Sequence, residues 1–298
     1  MHVLRFRAFD TQVKLSAYGE EALVRAAFRA ALEDCRRFER LFSRTLAGSD
    51  IARLNAAAGG TVFVEDDTYD LLAGSLRFCE ASRGLFDVTI GPVVALWGFK
   101  RGVVPERRAV EAALEHVGYR KLVLGGRAGA RTARLADACA AVDVGGTAKG
   151  YIADRLCERL EGLGLKHFIV DLGGNVAVRG GKPDGSPFVV GVRDPADASR
   201  MLCGVRLHEG SVVTSGLTER CFFEEGRRYH HILDPRTGYP VDTDAESASV
   251  VARSSFVCEG YSTTLCALGL ERGAAFAEEN AEIDRAVFAD GESRAIFV

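Results

Sequence analysis

Two adjacent histidines open a short segment, HHILDPRTGYP, that ends in a rigid turn. Histidine is the side chain best suited to moving a proton near neutral pH. On a strand, His230 and His231 point to opposite faces, so the pattern predicts that one faces a pocket and the other is structural. Pro235 and Gly238 fix the turn that follows. That turn holds three polar side chains in set directions, namely Asp234, Arg236 and Thr237.

A second segment, DVGGTAKGYIADRL at 143–156, places paired glycines directly before a predicted helix. Glycines let the backbone approach a ligand closely, and the first N–H groups of a helix together with Lys149 can bind phosphate. The spacing matches neither a P-loop nor a dinucleotide-binding fingerprint. The alternative interpretation is an ordinary strand-to-helix turn with a solvated lysine.

Two further segments could contribute to such a site. In DLGGN, Gly173 and Gly174 follow a buried strand, and the alternative is a simple tight hairpin turn. In CEGYSTTLCALG, a helix starting near 259–262 would put Glu259 and Thr263 on one face, where their oxygens could share Mg²⁺. The alternative there is a helix cap formed by Ser262 and Thr263.

The elements that position these segments divide the chain into a helix-rich first third and a strand-rich remainder. Apolar spacing of three and four residues predicts the first helix, and short runs closed by glycine, asparagine or aspartate predict the strands. Partial segregation of helices and strands favours the α+β class, with one domain over 1–298. The predicted helices are 20–43, 67–82, 105–116, 148–163 and 262–280. The predicted strands begin with an opening hairpin, follow one another from 121 with one in ACAAVDVGG at 138–146, and end in a hairpin at 285–298.

Composition excludes several classes of protein. The 298 residues carry a formal net charge of -3 with no basic block, which gives no electrostatic footprint for nucleic acid. No apolar run reaches the length of a membrane span, and the alternating start MHVLRFRAF is unlike a signal peptide, so we expect a cytoplasmic protein. The eight cysteines form no CxxC pair, which indicates buried reduced thiols.

Taken in order, these segments resemble the ApbE-type flavin transferases over nearly the whole chain. DVGGTAKGY and HHILDPRTG are the specific motifs, and the others support them. The supporting motifs are FDT at 9–11, LFSR at 41–44, SDIARLN at 49–55, GLFDVTIGP with Trp97, DLGGN, TSG at 214–216 and EGYSTTLCALG.

The resemblance implies a single α+β domain that binds FAD with Mg²⁺. It implies transfer of the FMN half, through its phosphate, to a threonine or serine hydroxyl of an acceptor protein, with AMP leaving. Two alternatives stay open within the same fold, hydrolysis of FAD to FMN and AMP, and flavin binding without catalysis. Such a protein has no nucleic-acid partner and no membrane span.

Roles carried over from the resemblance fall on specific residues. Metal ligands are the carbonyl of Gly146, Thr263 and Glu259, where glutamate stands in place of an aspartate and reaches one methylene further. The catalytic residues are Lys149 and one of His230 and His231, which accepts the proton of the acceptor hydroxyl. The FAD-binding residues are Phe9, Phe86, Asp87, Val88, Asp143, Lys149, Gly173, Gly174, His231, Asp234, Arg236 and Thr237, and Phe9, Phe86 and Trp97 are candidates for the wall of the flavin ring.

Overall fold

The computed structural model describes residues 1–99, 101–197 and 199–298. Over these residues the chain forms two compact units, each described here by itself. The first unit comprises residues 1–39, 147–216 and 243–298. The second unit comprises residues 40–146 and 217–242. The α+β class is confirmed, and the single domain stays a prediction.

Strands and helices are bounded as follows over the described residues. The strands are β1 (His2–Ala8), β2 (Thr11–Tyr18), β3 (Thr61–Val64), β4 (Leu122–Arg127), β5 (Ala130–Leu135), β6 (His167–Leu172), β7 (Asn175–Arg179), β8 (Phe188–Arg193), β9 (Met201–Leu207), β10 (Gly210–Gly216), β11 (Cys221–Glu224), β12 (Arg227–His230), β13 (Ser247–Ala252), β14 (Arg285–Ala289) and β15 (Ala295–Phe297). The helices are α1 (Glu21–Phe42), α2 (Asp50–Ala56), α3 (Asp66–Ala81), α4 (Gly91–Val94), α5 (Arg107–Leu114), α6 (Ala148–Gly162), α7 (Ser255–Leu268) and α8 (Leu270–Glu279), with a 3-10 turn at Tyr119–Lys121.

The first unit is built on an antiparallel eight-stranded sheet in the order β1-β2-β6-β7-β10-β13-β14-β15. Its central strand β13 is buried along its whole length, which suits its small and β-branched sequence SASVVA. Strands β8 and β9 form a separate hairpin. Valines of that hairpin pack with Val178, Val212 and Val251 of the sheet in one apolar cluster.

Helices α6 and α7 of the first unit pack closely because a glycine lies between them. A Cβ atom on Gly150 would lie 2.4 Å from the carbonyl oxygen of Ser255 and 2.8 Å from Cα of Phe256. Such distances exclude any side chain larger than hydrogen. The glycine in TAKGY therefore sets the separation of the two helices.

The second unit contains the three-stranded sheet β3-β5-β4 and the hairpin β11-β12. Its apolar cluster centres on Val93, Trp97 and Leu233. The indole of Trp97 stacks on Phe99 with ring centroids 5.3 Å apart and donates from Nε1 to the carbonyl of Gly238 at 2.9 Å. Gly238 itself has φ +73°, a left-handed conformation that glycine adopts without strain.

Most of the predicted elements are present, and two are wrong. The predicted helix at 262–280 is two helices, α7 from Ser255 and α8 after Gly269. The predicted strand at 138–146 is not a strand, because Ala141 forms only an isolated bridge with Ile90. Helix α3 begins at Asp66, one residue before the predicted start, and no side chain caps its first turn.

All eight cysteines are free thiols, as the sequence predicts. Five are buried, namely Cys35, Cys79, Cys157, Cys258 and Cys266, whereas Cys139 is exposed. Burial raises the pKa of the Cys35 and Cys157 thiols to about 12, so both stay protonated at neutral pH. Among the described residues, no helix has the length and apolar character that crossing a membrane requires.

Candidate active site

The start of α6 is bound to the middle of α7 through one buried carboxylate. Glu259 is 4 % exposed and accepts hydrogen bonds from the Lys149 ammonium group and from the Gly150 backbone N–H. A carboxylate withdrawn from water is costly unless it is paired and hydrogen-bonded. Lys149 and Gly150 meet that requirement, so the two motifs TAKG and CEGYST form one group in the first unit.

The position of Glu259 corrects the expected helix start. Helix α7 begins a full turn earlier, where the Ser254 hydroxyl accepts from the Val257 N–H at 3.2 Å. The carboxylate of Asp154 on α6 then accepts from the N–H groups of Ser255 and Phe256 at 2.8 Å and 3.0 Å. The alternative in which Ser262 and Thr263 cap the helix is therefore wrong, because both lie inside α7.

Hydroxyl groups of α7, about one turn beyond Glu259, form a cluster with a hydroxyl group at the end of β10. Ser215 Oγ, at the end of β10, is 2.8 Å from Ser262 Oγ and 3.2 Å from Thr263 Oγ1. Glu259 and Thr263 are four residues apart and share a helix face, as predicted. We call Lys149, Gly150, Glu259 and these three hydroxyl residues the Glu259 site. The sequence analysis uses TSG only as a supporting motif and does not single out Ser215, whose hydroxyl directly before a glycine was the available signal.

The Glu259 site fits the donor set that Mg²⁺ prefers. A hard divalent cation takes carboxylate, hydroxyl and carbonyl oxygens. The carboxylate of Glu259 has about four lone-pair directions, so the bonds from Lys149 and Gly150 leave acceptor capacity. Gly146, the third expected ligand, belongs to the second unit, where a Cβ on it would lie 3.0 Å from the ring of Phe86. Its role as a metal ligand stays a prediction.

In the second unit, the segments GLFDVTIGP and DVGG lie side by side. The Asp143 N–H donates to the Val88 carbonyl at 2.8 Å. One carboxylate oxygen of Asp143 accepts from the Gly145 N–H at 2.8 Å, and the other pairs with Arg44 at 3.0 Å. The side chain of Asn55 bonds both backbone groups of Val142, which replaces the ladder that a strand would supply. The orientation of the Asp143 carboxylate is therefore set by Gly145 on one oxygen and by Arg44, the arginine of LFSR, on the other.

The carboxylate of Asp87 is buried and satisfied within its own unit. It accepts from the Thr89 N–H at 2.8 Å, the Thr89 hydroxyl at 2.6 Å and the Tyr119 N–H at 2.8 Å. Burial outweighs these bonds and raises the pKa of Asp87 above its ordinary value. Phe86 and Val88, its neighbours in the motif, are buried too.

Two tight turns adjoin at one end of the large sheet. Phe9 and Asp10, with φ 55° and 59°, join β1 to β2, and Gly173 and Gly174, with φ 67° and 96°, join β6 to β7. A Cβ on Gly173 would lie 2.1 Å from the hydroxyl of Thr11. The structure therefore brings the FDT and DLGGN segments together. The hairpin alternative for DLGGN is also correct.

The histidine pair is divided by the end of a strand. His230 is the last residue of β12, is buried, and has Nε2 3.2 Å from the Val241 carbonyl oxygen. His231 lies just beyond β12, is half-buried, and its N–H donates to the Arg220 carbonyl at 3.1 Å. The premise that both histidines lie on the strand is wrong. His230 has the structural environment, and His231 is the more accessible of the two.

The turn after the histidines is held by Asp234. Its carbonyl accepts from the Gly238 N–H at 2.8 Å, and its carboxylate pairs with the Arg236 guanidinium at 2.6 Å. Partial burial opposes ionisation, but the hydrogen bonds and charge of Arg236 hold the pKa of Asp234 below its ordinary value. The Thr237 hydroxyl accepts from the Tyr239 N–H at 3.3 Å. The predicted rigid turn is therefore present.

Within the described residues, one group of histidine, cysteine and aspartate places its ligand atoms within 4.8 Å of one another, namely His116, Asp137 and Cys139. The Lys121 ammonium lies 2.8 Å from the Asp137 carboxylate, and His116 Nδ1 lies 3.0 Å from it. Lys121, followed by His116, holds the pKa of Asp137 well below its usual range. These contacts join the segments that follow α5 and β5 to Lys121, and we assign the group a structural role.

Together, the fold and these groups define a class. The chain is an α+β protein whose glycine-rich helix start is bonded to a buried acidic residue beside several hydroxyl groups, a donor set suited to phosphate chemistry with a hard cation. The family model of the ApbE family matches residues 9–288. The chain belongs to the ApbE family, and the resemblance seen in its motifs is confirmed.

Similar proteins support this assignment over most of the chain. The FAD:protein FMN transferase of Treponema pallidum is 35 % identical over 95 % of this chain and 83 % of its own length. That of Klebsiella pneumoniae is 33 % identical over 89 % of this chain and 81 % of its own. The solved ApbE protein of Thermotoga maritima has a TM-score of 0.89 at 30 % identity, covering 99 % of this chain and 96 % of its own. The flavinyl transferase ApbE of Pseudomonas stutzeri has a TM-score of 0.86 at 29 % identity, covering 100 % and 93 %.

Proposed function

We propose that this protein is an enzyme that transfers FMN from FAD to a hydroxyl of an acceptor protein. Membership of the ApbE family supports this assignment, and relatives named FAD:protein FMN transferase align over nine tenths of the chain. The observation that carries the proposal is the Glu259 site, where the motifs TAKG and CEGYST meet through a buried carboxylate.

The reaction balances as a phosphoryl transfer. The acceptor hydroxyl oxygen of a threonine or serine forms a bond to the FMN phosphorus, and the bond from that phosphorus to the bridging oxygen of AMP breaks. The hydroxyl proton passes to a base, and AMP leaves with the bridging oxygen. Positioning and electrostatic stabilisation supply most of the catalysis in such a transfer.

Three groups of the protein have roles in this step. His231 accepts the proton of the acceptor hydroxyl, since it is the more accessible histidine and lies just beyond the end of β12. Lys149 neutralises charge on the phosphates, and its own position is set by Glu259. His230 orients the segment through the Val241 carbonyl and is not the base.

Mg²⁺ is part of the proposal, with Glu259 and Thr263 as side-chain ligands. The cation would neutralise negative charge on the pyrophosphate oxygens. Glu259 stands where the resemblance implies aspartate, and in this structure the longer side chain reaches the Gly150 N–H as well as Lys149. Ser215 contacts the hydroxyl of Thr263 and is itself bonded to Ser262, so both serines support the position of Thr263.

Flavin binding is proposed for the segments predicted from the sequence, each in its own unit. In the first unit these are Phe9, Lys149, Gly173 and Gly174. In the second unit they are Phe86, Asp87, Val88, Asp143, His231, Asp234, Arg236 and Thr237. The fixed hydrogen bonds of Asp143 and Asp234 support a preorganised role for both carboxylates.

The test is to incubate the purified protein with FAD, with Mg²⁺ or with EDTA, and to follow AMP and free FMN by chromatography. A candidate acceptor protein is added in parallel, and its mass is measured intact. AMP that requires Mg²⁺, together with an FMN mass gain on the acceptor, is the expected result. AMP with equimolar free FMN would instead favour hydrolysis of FAD. Intact FAD under every condition would contradict both enzymes and leave a flavin-binding protein.

A further inference from the structure

The second unit contains a cavity lined by three arginines, of which Arg83 and Arg120 have no role in the proposed transfer reaction. Its volume is about 260 Å³. It lies between the end of α3, the 3-10 turn and the turn after β12. The lining residues are Arg83, Gly84, Asp87, Val117, Gly118, Tyr119, Arg120, Pro235 and Arg236.

The charges around this cavity do not balance. Arg236 is paired with Asp234 in a bidentate contact. Over the part of the chain that the structure describes, Arg83 and Arg120 have no carboxylate within ion-pair distance. Both oxygens of Asp87, the acidic residue of the lining, already accept hydrogen bonds from Thr89 and Tyr119. Among the described residues, two of the three arginines that line the cavity are therefore without a paired carboxylate.

Both arginines are also held in place by local structure. Arg83 lies two residues after the end of α3 and has φ 54°, a left-handed conformation in which glycine is usual. Gly84 follows with φ 80°. An arginine at 83 costs conformational energy that a glycine would not. The Arg120 guanidinium lies over the ring of Tyr119, 5.2 Å from its centroid. Neither position is explained by packing in the core, because both side chains are exposed.

We infer that this cavity binds the phosphate group of a phosphomonoester. Guanidinium groups present paired donors that match the oxygens of phosphate, and a dianion can engage Arg83 and Arg120 at once. The cavity is larger than the ion alone, and Val117, Tyr119 and Pro235 give an apolar wall for the group that the phosphate carries. The inference goes beyond the transferase reaction, because Arg83 and Arg120 carry it, and the cavity shares only Asp87 and Arg236 with the proposed flavin-binding set.

Binding is tested by isothermal titration calorimetry in a phosphate-free buffer without FAD, using inorganic phosphate and AMP as separate probes. The variant is Arg83→Gly combined with Arg120→Gln. Glycine at 83 removes the guanidinium and also relieves the left-handed backbone, so this change favours folding. Arg236 is kept because it belongs to the proposed flavin-binding set. The control is Arg127→Gln, which alters an exposed arginine on β4 outside the cavity.

Wild-type protein is expected to bind AMP, and the double variant to bind it at least about a hundredfold more weakly, since each charge-assisted contact contributes about tenfold or more. Arg127→Gln should match the wild type. AMP binding more tightly than inorganic phosphate identifies a phosphomonoester as the ligand, and equal affinities identify phosphate itself. The inference is overturned if neither probe binds the wild type, or if the double variant binds both as the wild type does. These outcomes are independent of FAD turnover, so failure here is distinct from failure of the transferase proposal.

Discussion

Glu259 is one methylene group longer than the aspartate that the resemblance implies at its position. From α7, its carboxylate contacts both the side chain of Lys149 and the backbone of Gly150 on α6. The same oxygens would therefore serve structure and metal binding. At the residue scale, the role of Glu259 in folding can be separated from its role in the reaction.

We expect Glu259→Ala to lower the free energy of unfolding by about 2 kcal/mol, because it leaves the Gly150 N–H and the half-buried Lys149 without their partner. Glu259→Gln keeps an acceptor and should lose less. Urea unfolding followed by circular dichroism measures both variants. Equal stability of the alanine variant and the wild type would show that the buried pair contributes nothing net.

The two histidines should separate catalysis from stability. We expect His231→Ala to reduce FMN transfer at least about a hundredfold with little change in stability, since general bases contribute about that much. His230→Ala should mainly lower the unfolding midpoint, because it removes the partner of the Val241 carbonyl. Transfer rates and melting temperatures of both variants provide the measurement. A reversed pattern would make His230 the base.

Local periodicity explains why some elements were predictable and others were not. Helix α1 follows from buried apolar side chains at three- and four-residue spacing, and the β14–β15 hairpin follows from Asp-Gly between two short apolar runs. The start of α7 did not follow, because Asp154, 100 residues away, satisfies its first N–H groups. The pairing of Lys149 with Glu259 spans 110 residues. Such contacts depend on how α6 and α7 pack, and local sequence carries no record of that packing.

Helix α6 offers a matched test of that packing. Gly150→Ala should lower the free energy of unfolding by about 3 kcal/mol or more, since its Cβ would overlap the backbone of α7. Gly162→Ala, in the last turn of the same helix, meets nothing within 4 Å and should raise stability by up to about 1 kcal/mol. Urea unfolding of both variants measures the difference. Similar effects of the two changes would contradict the close approach of the helices.

At the scale of the whole molecule, neither unit is a continuous stretch of chain. The chain passes from one unit to the other after Glu39, Gly146, Gly216 and Asp242. Helix α1, Glu21–Phe42, runs without a break through the first of these points. Because each unit is assembled from separate segments of the chain, this connectivity favours folding as one domain.

We expect a single cooperative unfolding transition for this reason. The sequence has one tryptophan, Trp97, and it lies in the apolar cluster of the second unit. Its fluorescence reports that unit, whereas far-ultraviolet circular dichroism reports helices and strands of the whole chain. The two urea curves should have the same midpoint. A tryptophan transition at a clearly different midpoint would show two domains that unfold separately.

The outer strands of the large sheet also affect how the protein behaves at high concentration. Strand β1 forms one edge and places the exposed charges of Arg5 and Arg7 on alternate positions. The opposite edge, β15, is only three residues long. A charged edge and a very short one are poor templates for pairing with a second molecule. Pairing of a second molecule with β1 or β15 is therefore disfavoured, and so is growth of fibres from the edges of the eight-stranded sheet.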